Sequence, residues 1–190
     1  ATANLQGAID APNGTKVFVA IGNFNAPFPG SFVMRNNLEI YGGFDPDNGI
    51  TSLIHNRILP SATVNRSVLN GQNQISVIRN EYTSGNPMYA TAILDGFTVA
   101  NGNRSIVGYG GGISLEYASP TLRNIVIREN TATNGGGGMG LTNSSPVMTN
   151  IQFLSNTTND GGGGMLVKNN SNPSITNVIF KGNTATNTNF

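Results

Sequence analysis

The sequence predicts an all-β chain, a parallel β-helix (β-solenoid) with a short N-terminal capping helix and an uncapped C-terminal edge. Three observations carry that expectation. One text is written three times, as GGGISLEYASPTLRNIVIRENTATN from Gly110, GGGMGLTNSSPVMTNIQFLSNTTN from Gly136 and GGGMLVKNNSNPSITNVIFKGNTATN from Gly162. Pro120, Pro146 and Pro173 fall at steps of 26 and 27 residues, the period of a stacked supersecondary unit. Within each copy, apolar residues alternate with polar ones, which marks strands with one buried face. The 25 glycines and 29 asparagines suit many short strands joined by sharp corners, because both residues tolerate left-handed backbone.

The whole chain, 1–190, reads as one β-helix domain or fragment in three parts. Residues 1–15 form the cap. Asn4 to Ala11 place Leu5, Ala8 and Ile9 on one helical face, with Asn4 as N-cap. A solenoid needs such a lid, because its end coil exposes apolar side chains and open strand edges.

Residues 16–107 form irregular coils with long loops. Lys16 to Ile21 is the first strand, followed by Leu38 to Phe44, Ser67 to Gly71 and Ile75 to Asn80. Residues 108–190 hold the three regular repeats. An α-helical solenoid is excluded there, because the four-glycine runs 135–138 and 161–164 cost roughly 1 kcal/mol per glycine in a helix.

The aligned copies define the core stacks. They are Leu94–Leu122–Met148–Ile175, Phe97–Ile125–Ile151–Val178 and Val99–Ile127–Phe153–Phe180. Two asparagine columns keep the same steps, Asn124–Asn150–Asn177 and Asn130–Asn156–Asn183. Amides stacked this way can bond up and down the axis.

Charged residues are only 10% and net charge is +1, so no electrostatic footprint for nucleic acid exists. No run of about 20 apolar residues is present, so no membrane insertion by a helix of this segment is expected. Without cysteine there is no disulfide or thiolate site. The start reads as a mature or trimmed end. The stop after a complete repeat reads as an edge covered by further coils or by another chain.

Chemistry-bearing residues are sparse. Asp45, Asp47 and Asn48 precede Gly49 as in part of a calcium loop, without the closing glutamate, so a surface turn is the stronger reading. His55 is the single histidine and has no partner motif. The outward column Thr98–Val126–Gln152–Ile179 and its neighbour Arg128–Leu154–Lys181 hold no acidic pair. Asp95, Glu116, Glu129 and Asp160 read as dispersed over different corners. No catalytic residue and no organic cofactor is therefore assigned, and calcium is the one weak cofactor candidate. The Thr131 and Thr184 corners read as polar turns, with Thr157–Thr158 breaking their regularity.

The segments LQGAIDA, KVFVAIGNF, LEIYGGF and LDGFTVANGN, followed by glycine-rich repeats, resemble the right-handed β-helix proteins of the pectin-lyase-like superfamily. They resemble in particular large secreted or surface-attached repeat proteins of Bacteroidetes-type bacteria. FLSN (Phe153 to Asn156) and FKGN (Phe180 to Asn183) are similar to the FxxN motif of chlamydial polymorphic membrane proteins. Gly-Gly-Gly-Met stands where that family favours Gly-Gly-Ala-aliphatic. The resemblance implies an extracellular or bacterial cell-surface location, and an arginine such as Arg57 or Arg66 pinning the long loop.

The expected function is a non-catalytic stalk or adhesin-like segment that displays loops to a surface glycan or protein partner. A polysaccharide lyase or glycoside hydrolase fragment is the enzymatic alternative. A self-assembling extracellular fibre subunit is the third.

Overall fold

The structure is a computed structural model that describes residues 4–64, 66–105 and 108–187. It is an all-β parallel solenoid of about six turns behind one short helix. The helix α1 (Leu5–Asp10) starts where the Asn4 side chain accepts the Gly7 N–H at 3.0 Å. Leu5 and Ile9 are buried, whereas Ala8, expected on the same face, is exposed. Arg35 fixes the far end, its guanidinium donating to the carbonyls of Ile9, Ala11 and Gly14.

The first coil carries β1 (Lys16–Ala20) and β2 (Gly22–Asn25). The second carries β3 (Glu39–Phe44), β4 (Ser67–Asn70) and β5 (Ile78–Glu81). The third carries β6 (Ile93–Asp95), β7 (Phe97–Ala100), β8 (Asn103–Arg104) and β9 (Ile113–Glu116). The fourth carries β10 (Thr121–Arg128), β11 (Thr131–Ala132) and β12 (Met139–Thr142). The fifth carries β13 (Val147–Leu154), β14 (Thr157–Thr158) and β15 (Met165–Lys168). The sixth carries β16 (Ser174–Lys181) and β17 (Thr184–Ala185).

All of these strands pair in parallel, coil on coil, into three sheets. The large sheet bends: β10 pairs with β6 through its first half and with β7 through its second. The bend is at Asn124, whose φ is +51°, and Asn150 and Asn177 repeat it in β13 and β16. Asparagine is among the few side-chain-bearing residues that visit this region routinely. In the third coil Gly96 takes the same position at φ +87°. The second sheet is β8–β11–β14–β17 and the third is β5–β9–β12–β15. The Thr corners are thus short strands rather than turns. Thr131, Thr157 and Thr184 stand in register, while Asn159 of the middle copy follows where the others carry Thr133 and Thr186.

The core stacks run as expected. Leu94, Leu122, Met148 and Ile175 are register partners, and so are Val99, Ile127, Phe153 and Phe180. Phe153 and Phe180 stack face to face, with centroids 4.6 Å apart and planes 2° from parallel. Ile175 and Phe180 are half-exposed, because no described residue lies over the sixth coil. The glycine runs let backbones approach. A Cβ on Gly138 would sit 2.5 Å from the Gly164 carbonyl oxygen and 2.9 Å from the Phe153 ring.

One outward column departs from expectation. Thr98 and Val126 face away from the core yet are fully buried. The segment 45–64 crosses this face, where Leu59 and Pro60 line a small cavity with Val126 and Gln152.

A candidate recognition face on the third sheet

Two amide ladders run along the solenoid, and they differ in surroundings. The inner one is buried. Asn130 Nδ2 donates to Asn156 Oδ1 at 2.9 Å, and Asn156 Nδ2 to Asn183 Oδ1 at 2.9 Å. Each oxygen also accepts the backbone N–H of the preceding asparagine. The same amides donate to the carbonyls of Val99, Ile127 and Phe153, so every corner is closed by its own side chain.

The outer ladder runs along the bend. Asn177 Nδ2 donates to Asn150 Oδ1, Asn150 to Asn124, and Asn124 to the Asp95 carboxylate, at 2.7, 2.9 and 2.8 Å. Asp95 is in turn held by Arg57, which also donates to the Gly42 carbonyl. Arg57 does pin the long loop. Arg66 Nε is buried without a hydrogen-bond partner among the described residues.

The loop residues singled out in the sequence serve the turn. Pro46–Asn48 is a single 3₁₀ turn, and the Asp45 carboxylate accepts the Asn48 Nδ2 at 2.8 Å. Asp47 is exposed. Among the described residues no three carboxylate, imidazole or thiolate side chains converge as a metal cluster. His55 Nδ1 accepts the Thr51 N–H at 3.1 Å, which places the proton of the neutral ring on Nε2.

The densest chemistry lies elsewhere, on the outer face of the third sheet. Ile113, Leu115, Met139 and Leu141 point into the core, so the alternate residues of the same strands point out. Glu81, Glu116, Thr142 and Lys168 therefore form one outward row, each the register partner of the next. Glu116 is not isolated on a corner, as the sequence suggested; it stands beside Glu81.

Glu81 is gripped twice. Arg79 forks onto it, Nε to Oε1 at 2.6 Å and Nη2 to Oε2 at 2.5 Å, and Arg104 Nη2 approaches Oε1 at 3.2 Å. Burial alone would raise the Glu81 pKa, but the bond from Arg79 and the charges of Arg79 and Arg104 pull it below the ordinary value. The Arg104 guanidinium is lowered, first by burial and then by the like charge of Arg79. At the other end of the row, Lys168 Nζ bonds the Tyr109 hydroxyl at 2.5 Å and lies 4.3 Å from a Tyr109 ring centroid. Tyr109 crosses the sheet over Gly140, where a Cβ would come within 2.5 Å of the tyrosine's own.

A cavity of about 250 Å³ opens between Glu81, Arg104, Tyr109, Glu116 and Thr142. No family model, curated protein or solved structure matches this chain. The face is therefore read from its own chemistry: two stacked carboxylates, one held ionised, beside a guanidinium, an aromatic ring and a hydroxyl. None of Arg79, Glu81, Arg104, Tyr109 and Lys168 was assigned a role from sequence. The signal was present, since IRNEY (Ile78 to Tyr82) and ISLEY (Ile113 to Tyr117) share Ile-x-x-Glu-Tyr.

Proposed function

We propose that this chain is a non-catalytic, stalk- or adhesin-like segment of a large secreted or bacterial cell-surface protein of the pectin-lyase-like kind. It presents side chains to a glycan or protein partner. The observation that supports this reading most is the unbroken register of both amide ladders over the regular coils, which makes a stiff rod with recognition residues on its flanks. Incubation with neutral and acidic polysaccharides, with and without calcium, tests it. Retention on a polysaccharide or protein array without any product is the expected result. Release of unsaturated products or new reducing ends overturns it.

The Glu81–Glu116 pair favours a second reading, a glycoside hydrolase. Adjacent strands are roughly 4.8 Å apart, near the roughly 5–5.5 Å between carboxyls of retaining glycosidases. Glu81, held ionised, would be the nucleophile, and Glu116, which no ion pair reaches among the described residues, the general acid. On this reading new reducing ends appear with the native chain and disappear with Glu116→Gln.

A further inference from the structure

A second cavity, about 130 Å³, lies on the other side of the Arg104 guanidinium. Its polar wall is made by Ser31, Ser76, Asn103, Ser105, Arg79 and Arg104, with Gln74 at the rim. No carboxylate lines it, so its lining carries two positive charges and no negative one. Glu81, which pairs with both, lines the neighbouring cavity instead.

We propose that this cavity binds one oxyanion group, a carboxylate or a sulfate, between Arg79 and Arg104. The inference goes beyond the scaffold reading and stands whichever of the two functional readings holds.

Three features set the class of ligand. The first is donor supply. A guanidinium carries five N–H donors in a planar fork, and Arg79 spends only Nε and Nη2 on Glu81. Forked donors of this kind match carboxylate and sulfate oxygens. The second is charge. Arg104 is 7% exposed, and both burial and Arg79 act against its ionised form. An anion between the two guanidinium groups offsets that repulsion, most strongly on the side of the buried Arg104.

The third is size. Drug-sized ligands occupy about 300–1,000 Å³, so 130 Å³ holds one small anionic group and excludes a sugar ring. A larger ligand would seat only its acidic substituent here and leave the rest outside the cavity.

Calorimetric titration of the full chain tests the site, with sodium sulfate and sodium glucuronate as probes. Sodium chloride holds ionic strength constant and glucose serves as the neutral control. Saturable binding of at least one anion, and none of glucose, is expected. Arg79→Gln should weaken it about tenfold, the loss of one charge-assisted bond. Glu81→Gln should tighten it, because the competing carboxylate is gone and the Arg79 fork turns to the ligand. A merely structural triad would not give that gain. Tighter binding of glucuronate than of sulfate identifies an acidic organic ligand, and the reverse a free inorganic oxyanion. No saturable heat from either anion, or affinities unchanged in both variants, overturns the proposal. Circular dichroism of each variant confirms that the fold is intact before the comparison is made.

Discussion

Arg57 Nη2 and Asp95 Oδ1 lie 3.0 Å apart, joined across 38 residues of chain. The pair does two jobs at once. It fastens the 45–64 segment to the large sheet, and it terminates the outer amide ladder, since Asp95 Oδ1 also accepts from Asn124. The Arg57 guanidinium lies 5.1 Å from the Tyr41 ring centroid and 5.9 Å from that of Phe44, so its apolar faces are used as well.

Removing one partner of a largely buried ion pair strands the other charge. Asp95→Ala should therefore cost roughly 3 kcal/mol, read as a lower urea midpoint. Asp95→Asn keeps an acceptor for Asn124 but still strands Arg57, and should lie between the two. An unchanged midpoint in Asp95→Ala would mean that the loop is held by its backbone hydrogen bonds and apolar contacts without the ion pair.

The two amide ladders should respond differently to the same change. Asn156→Ala removes the acceptor of the buried Asn130 N–H and Nδ2 and the donor to Ile127. Each buried group left unpaired costs about 1–3 kcal/mol. Asn150 is exposed, so its amide bonds compete with water and count for little. Its φ of +56° is the larger matter. Asn150→Ala should cost roughly 1–2 kcal/mol in backbone strain, and Asn150→Gly clearly less. Equal losses at 150 and 156 would refute the distinction between burial and bend.

Much of the scaffold was legible because Leu122, Met148 and Ile175 sit at steps of 26 and 27 residues and strand periodicity survives in three copies. The site was not. Glu81 and Glu116 become neighbours only after the longer, irregular connection between β5 and β6 is taken out, and no fixed period reveals that. The burial of Thr98 and Val126 was hidden for a related reason. It depends on where the 45–64 segment lands, which Arg57 decides by a contact far off in sequence. The buried stack at Phe153 was readable from a local pattern, whereas a loop's landing place is a tertiary fact.

Both ends of the pH scale should weaken the fold, through groups that can be named. The Glu39 carboxyl is lowered by its bond from Lys16 and then by that from Tyr41. The Glu81 carboxyl is also lowered, with burial opposing and the Arg79 and Arg104 interactions prevailing. Their contribution is present above the ordinary value of 4.5 and is lost as pH falls through the depressed folded values. Tyr41 has the opposite sign. Burial and its bond to Glu39 push its pKa from 10.0 up to about 12. The folded chain keeps that proton after the unfolded chain has lost it. Stability is therefore full below pH 10 and declines toward pH 12. Melting temperatures of Tyr41→Phe should fall less steeply than those of the native chain over this alkaline interval. Identical slopes would contradict the assignment.

The stacked pair Phe153 and Phe180 gives the most direct measure of what one coil does for the next. Phe153 is fully buried, with its ring between Ile127 of the fourth coil and Phe180 of the sixth. Truncating such a side chain costs about 3–5 kcal/mol, through lost transfer energy and the cavity left behind. Phe180 has Phe153 on one side and 50% of its surface exposed. It already forgoes half the burial, and its removal leaves an open notch rather than an enclosed void. Phe180→Ala should therefore cost well under half as much as Phe153→Ala. The difference should show in thermal unfolding of the two variants under identical conditions. Placing a further coil over β16 should raise the Phe180 penalty toward that of Phe153, because repeat stability is a sum of nearest-neighbour terms. A Phe180→Ala loss as large as that of Phe153→Ala in the native chain would show that the sixth coil is already covered in solution, for instance by a second copy of the chain. Sedimentation velocity would then detect that copy directly.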